Sequence, residues 1–247
     1  MNSLESPQVA DVLGRLFREA EVVDAAFVAD LVDGANAGID PLLAVLDAEA
    51  KDYKDLYRRA VDNYLCVSPE FGRLLYICAR ACNATSIVEF GTSFGVSTIH
   101  LACAVRDNGG GIIIGTELEP SKAARAQAHM TAAGLGDLVD IRAGDALDTL
   151  RVNLDRSVDL IHLDGALSLY RPILRLLEPY LQPNALVIAE NSTPDYLDYV
   201  RDPGHGYVSL PISLNPLRTN EVSLFLGHSR SDPPEFGARP SKTPYRY

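Results

Sequence analysis

From residue 86 to residue 189 the chain repeats one rhythm, a short β-branched or aliphatic run followed by a stretch with helical spacing. The runs lie at 86–90, 112–116, 139–143, 158–163 and 186–189. Strands alternating with helices of this length pair through crossover connections, which makes the sheet parallel and covers both of its faces. Two later runs, 207–212 and 222–226, have only the loop around Asn215 and Pro216 between them. That gap is too short for a crossover helix, so the last pair is expected to be antiparallel. The sequence therefore predicts an α/β chain with a seven-stranded sheet whose last strand is reversed and whose helices lie on both faces.

A helical preface stands ahead of the sheet. Val9, Val12, Leu13, Leu16, Phe17 and Ala20 recur at helical spacing behind Ser6 and Pro7, an N-cap followed by a first helical residue. Asp40-Pro41 and Ser68-Pro69 are two further helix starts. The expected division is an N-terminal helical extension over 1–67, the sheet domain over 68–228, and a flexible C-terminal tail over 229–247, where proline and short polar residues dominate. With 47% hydrophobic and 22% charged residues, gross disorder is excluded. Lys and Arg number 22 against 33 Asp and Glu, and the formal net charge of -11 repels phosphate backbones and anionic lipid surfaces. No apolar stretch is long enough to span a membrane, and the N-terminus lacks a basic segment followed by an apolar one, so the expectation is a soluble, cytoplasmic protein with no nucleic acid or membrane partner. Cys66, Cys78, Cys82 and Cys103 form no CxxC pair and read as buried thiols, with a zinc or redox site as the alternative.

The first run leads into Gly91-Thr-Ser-Phe-Gly95 and then a helical pattern. Such a loop lets a ligand approach the backbone and points the free N–H groups of a helix start at an anion. A tight strand-to-helix turn without a ligand is the structural alternative. The same residues match G-x-S-x-G, which would make Ser93 a nucleophile with Asp164 and His205 following in order. Against that, the motif ends the first recognisable strand rather than following several, and no oxyanion segment precedes it. The nicotinamide fingerprint is unmet, since Gly91 and Gly95 stand without a third glycine. A nucleotide reading is favoured by Glu117, which closes the second run about 20 residues past the loop, where a carboxylate accepts hydrogen bonds from both hydroxyls of a ribose. Glu119 reads as a solvated helix-start charge. Asp145, at the end of the third run, is either an acceptor for an adenine amino group or a helix N-cap, and the two roles are compatible.

Five segments carry a resemblance. They are 88–98 (Val-Glu-Phe-Gly-Thr-Ser-Phe-Gly-Val-Ser-Thr), 115–120 (Gly-Thr-Glu-Leu-Glu-Pro), 143–146 (Ala-Gly-Asp-Ala), 162–165 (His-Leu-Asp-Gly) and 186–191 (Leu-Val-Ile-Ala-Glu-Asn). In this order they resemble the class I S-adenosylmethionine-dependent methyltransferases of the catechol O-methyltransferase-like branch, and the resemblance covers about 68–227. It implies a Rossmann-like sheet, a small phenolic or catechol-like acceptor, and S-adenosylmethionine as cofactor. Glu89, Gly91 and Ser97, with Ser93 and Gly95 of the same loop, would hold its methionine end; Glu117 would hold the ribose, and Asp145 with Ala146 the adenine, beside Asp164. The family's metal site would fall on Asp164, Glu190 and Asn191, hard oxygen donors of the kind Mg²⁺ takes. Related enzymes with helical prefaces often form homodimers, which is the expectation here.

Two positions depart from that pattern. Glu190 stands where the family usually has Asp, one methylene shorter. Leu167 stands where it often has a lysine as general base, and leucine cannot take a proton. Metal and solvent, or another base such as His162, would then replace it, or the chemistry has moved to a different acceptor. His162 shares a sheet face with Asp164 and reads either as a satisfied core residue or as a catalytic one beside Asp164. His100 and His129 read as structural and His205 as a loop residue near the substrate rim. Tyr53, Tyr57 and Tyr64 either wall an aromatic pocket or pack against the core. A metal-independent methyltransferase, and a cofactor-binding module without catalysis, stand beside the main reading.

Overall fold

A computed structural model describes residues 2–27, 29, 38, 40–152, 154, 157–214 and 219–227. The expected tail over 229–247 and the residues Asn215 and Pro216 lie outside the described residues. The preface holds α1 (Pro7–Val23), α2 (Pro41–Arg59) and, adjoining the sheet, α3 (Pro69–Ala81). Each begins as its sequence dictates. Ser6, Asp40 and Ser68 accept hydrogen bonds from backbone N–H groups of the first turn, with proline next in line where no N–H is needed.

The sheet comprises β1 (Ser86–Phe90), β2 (Ile112–Glu117), β3 (Val139–Ala143), β4 (Val158–Leu163), β5 (Leu181–Ala189), β6 (Tyr207–Ile212) and β7 (Asn220–Phe225). Between them run α4 (Val96–Asp107), α5 (Pro120–Ala132), α6 (Ala146–Thr149), α7 (Tyr170–Leu177) and α8 (Pro194–Arg201). The strand order is β3-β2-β1-β4-β5-β7-β6. Strand β7 is antiparallel to both neighbours, and the short connection from β6 requires this of the β6–β7 pair. The chain therefore has the expected seven-stranded fold. Strand β5 starts earlier than expected, at Leu181. The register shifts between Val158 and Leu160, and Gln182, Pro183 and Asn184 are exposed there, so a bulge interrupts the apolar run that marks the strand in the sequence.

Alternation along each strand divides the interior in two. Ile87, Leu160 and Ile188 point into a core with α1, α3 and α4, while Val88, Ile161 and Val187 point into another with α7 and α8. Leu16 of α1 and Leu75 of α3 share the first core and are fully buried. Each such side chain contributes about 1.5–3 kcal/mol relative to leaving it in water. Leu42, Val45 and Leu46 of α2 pack against the second core, which brings that helix to the carboxyl edge of the sheet.

Candidate active site

In the order β3-β2-β1-β4 the connections leave β1 in opposite directions, and ligands bind outside the strand ends at such a reversal. A cleft of about 810 Å³, including space open to solvent, lies at these ends. Gly91 and Ser93 from the loop after β1, Ser97 from the first turn of α4, Glu117 from β2, and Asp145, Ala146 and Asp164 beyond β3 and β4 all line it. The structure thus brings together most of the expected cofactor set.

Two glycines shape the loop for different reasons. Gly91 has φ +95°, and a Cβ there would sit 2.3 Å from the carbonyl oxygen of Asp164, so its smallness serves the packing of two strand ends. Gly95 has φ +88° at the N-cap of α4, and a Cβ would meet Met130 at 2.8 Å. It does not line the cleft. Ser93 donates its hydroxyl proton to the Tyr64 carbonyl at 2.7 Å, tying loop to preface. That bond spends the hydroxyl on structure and leaves the nucleophile reading without support.

Glu117 is 9% exposed and accepts the Ser93 N–H at 2.8 Å on one oxygen and the Glu119 N–H at 2.9 Å on the other. Burial raises its pKa above the ordinary glutamate value, against the pull of those bonds and of Lys122. Lys122 is itself buried at the cleft wall, and desolvation lowers its pKa although Glu117 favours its charge. Asp145 both caps α6, accepting the Leu147 N–H at 3.0 Å, and receives the Tyr53 hydroxyl at 2.6 Å and the Lys54 ammonium at 2.7 Å from α2. Burial works against its charge, but Lys54, Tyr53 and the cap outweigh it and hold its pKa below the usual aspartate value.

Glu89 and His162 are register neighbours on β1 and β4, both fully buried and absent from the cleft lining. Glu89 accepts hydrogen bonds from Thr92 at 2.9 Å and from Thr98, and faces His162 Nδ1 at 3.4 Å. Burial penalises its charge, yet His162, Thr98 and Ser97 outweigh that and lower its pKa. Glu89 therefore organises the loop from beneath. His162 is fully buried, its ring packing on Phe71 with centroids 5.9 Å apart and its Nε2 without a hydrogen-bond partner among the described residues, and it is not on the cleft lining.

Of the three expected metal ligands, Asp164 lines the cleft while Glu190 and Asn191 do not. Glu190 is 2% exposed, its carbonyl accepting the Tyr170 hydroxyl, and the Asn191 N–H is bound to Asn220. Among the described residues no group of three or more His, Cys, Asp or Glu could hold a metal ion. Asn191 is an amide and stands outside those residue types, and of the expected donors Asp164 is the one on the cleft lining. The four cysteines are free thiols. His205 stacks on Tyr199 with centroids 4.0 Å apart and donates from Nδ1 to the Tyr199 carbonyl at 2.8 Å, away from the cleft lining.

The preface supplies what the motifs did not reveal. Tyr53, Tyr57, Leu65 and Cys66 line the cleft, whereas Tyr64 packs on Phe94 with centroids 4.4 Å apart. Asp24 shapes this approach by accepting the N–H groups of Tyr64 and Leu65 at 2.9 and 2.8 Å. Glu49 reaches over from α2 to accept the Tyr57 hydroxyl and the backbone N–H groups of Leu167 and Ser168. Glu49 lies before and Tyr53 and Tyr57 after a break in α2, where Asp52 leaves helical backbone geometry, so helical spacing in the sequence does not join them.

Residues 88–192 match the family model of a methyltransferase domain. A catechol O-methyltransferase of Niastella koreensis is 34% identical over 53% of this chain and 60% of its own length. One of Mycobacterium tuberculosis is 34% identical over 54% of this chain and 57% of its own. The chain thus spans roughly three fifths of these curated relatives. The crystal structure of an O-methyltransferase from Bacillus cereus in complex with SAH superposes with a TM-score of 0.59 at 22% identity, over 75% of this chain and 90% of that one, and shares the fold.

Proposed function

We propose that this chain, whose sheet and matched residues are those of a class I S-adenosylmethionine-dependent methyltransferase, transfers a methyl group to the hydroxyl oxygen of a small phenolic acceptor. The observation that carries the reading is the convergence of loop, Glu117, Asp145 and Asp164 on one cleft at the reversal of strand order. The cleft residues fit the cofactor: Glu117 keeps lone pairs beyond its two backbone bonds that would take the ribose hydroxyls, Ala146 and Asp145 would flank the adenine, and Gly91 and Ser93 of the loop with Ser97 of α4 would hold the methionine end. When bound, the cofactor supplies an electrophilic methyl group. Tyr57, Phe90, Cys66 and Leu169 give the cleft an aromatic and apolar wall suited to a flat ring. The likeness to proteins called catechol O-methyltransferase supports the same acceptor class.

The metal-free form of the transfer belongs to the proposal, supported by Asp164 being the one expected ligand on the cleft lining. No helix among the described residues is long and apolar enough to cross a membrane. Self-association into a homodimer belongs to the proposal and is read by sedimentation. Calorimetry with S-adenosylmethionine, followed by turnover against a panel of phenols with and without a chelator, tests the whole. Binding and chelator-insensitive methylation are expected. Binding without turnover of any phenol refutes the acceptor class, and loss of turnover on chelation refutes the metal-free form.

A further inference from the structure

We infer that the Tyr57–Glu49 pair, delivered by α2, is the proton acceptor for the substrate hydroxyl; the inference rests on the phenol O-methylation proposed above. Tyr57 lines the cleft, and its hydroxyl donates to Glu49 Oε1 at 2.7 Å. Glu49 is 3% exposed and accepts two more donors, the Leu167 N–H at 2.9 Å on the same oxygen and the Ser168 N–H at 2.7 Å on the other. A buried carboxylate holding three donors is fixed in place, and Tyr57 is its door to the cleft. Among the other cleft groups, the lone pairs that Glu117 keeps are those proposed for the ribose, Tyr53 donates to Asp145, and Lys122 Nζ donates to the Ala60 carbonyl.

Burial, with the charges of Glu49, Asp164 and Glu117 around it, raises the Tyr57 pKa well above the ordinary tyrosine value. Tyr57 therefore stays a neutral phenol and acts as a conduit. As the acceptor oxygen forms its bond to the methyl carbon, the C–S electron pair stays with sulfur and the oxygen keeps the pair of its O–H bond. The released proton passes to Tyr57 Oη while the tyrosine's own proton moves to Glu49 Oε1. Charge balances, because a cationic donor and a carboxylate become two neutral species. Tyr57 is the catalytic residue of the pair and Glu49 the positioning residue and proton sink behind it.

The test uses Tyr57→Phe, which keeps the ring and removes the hydroxyl. A first readout needs no cofactor. The protein is titrated with 4-nitrophenol, whose neutral and ionised forms absorb at different wavelengths. The wild type should prefer the neutral form, and the variant should lose roughly 10-fold in affinity for that form with the ionised form unaffected. A second readout is kcat across phenols of graded acidity, where the loss should be about 100-fold or more for weakly acidic phenols and vanish for those already ionised. Glu49→Gln combined with Tyr57→Phe should lose little more than either alone. Equal weakening of both 4-nitrophenol forms, or a kcat loss independent of phenol acidity, overturns the relay and leaves Tyr57 a packing residue. Absence of turnover by the wild type overturns the acceptor reading instead, and the 4-nitrophenol titration then judges the pair by itself.

Discussion

Replacing Glu117 by glutamine separates the structural and the binding work of one side chain. In the wild type its two oxygens hold the N–H groups of Ser93 and Glu119 at 2.8 and 2.9 Å. An amide has one acceptor oxygen, so its NH₂ must face one of these donors. Leaving a buried donor unpaired costs about 1–3 kcal/mol, and the remaining bond weakens from charge-assisted to neutral. Neutralisation also removes the desolvation that raises the carboxyl's pKa, which offsets part of the loss. The net destabilisation should be about 1–2 kcal/mol, a drop in Tm of roughly 2–4 °C per kcal/mol for a chain of this size. Cofactor binding should suffer more, because the ribose hydroxyls lose a charged acceptor worth about 1.5–3 kcal/mol, or roughly 10- to 150-fold in Kd. Calorimetry at a temperature where circular dichroism shows the variant folded measures this directly. A folded Glu117→Gln protein with wild-type Kd would refute the ribose assignment.

Ser93→Ala keeps the backbone N–H on Glu117 and removes the bond to the Tyr64 carbonyl, so it should cost about 0.5–1.5 kcal/mol in denaturant unfolding, with wild-type stability as the contrary result; a fluorophosphonate should not label Ser93. The raised pKa of Glu117 predicts that cofactor affinity is full above that value and falls as pH drops through it, since ionisation favours the ribose bonds; a Kd flat from about pH 7 to about pH 4 contradicts this. Gly91→Ala forces a Cβ against the Asp164 carbonyl at a positive φ and should lose roughly 2–5 kcal/mol in denaturant unfolding, with wild-type stability as the contrary result.

Val158–Leu163 was legible because the strand is central and buried along nearly its whole length, whereas Val139–Ala143 was legible from its β-branched residues although Asp140 and Ala143 are exposed at the sheet's edge. The bulge at Pro183 hid the start of β5, since three exposed residues there break the run. Glu117 and Asp145 were legible as strand-end carboxylates because topology alone brings such ends to one edge. His162 was ambiguous for a physical reason. Alternation tells which face a side chain takes, but it does not tell how far below the sheet edge the cleft begins, and Glu89 and His162 lie beneath it. Glu49 was silent because a glutamate on an amphipathic helix ordinarily faces water, and its burial depends on the N–H groups of a turn 118 residues away.

The contact of Gly91 with the Asp164 carbonyl bears on how this cleft can change over generations. Any side chain at 91 pushes on the backbone after β4, so the loop beneath the cofactor position and the start of the acceptor region move together or not at all. Variation on the sheet side is thereby penalised twice. The preface is less constrained at two positions: Tyr53 and Cys66 line the cleft from segments that join the sheet edge through side-chain and loop contacts, whereas Leu65 is held at φ +46° with its N–H on Asp24. New acceptor preferences should therefore arise at those two, and a library randomised at 53 and 66 should yield more folded variants with altered phenol selectivity than one of equal size at 91 and 164.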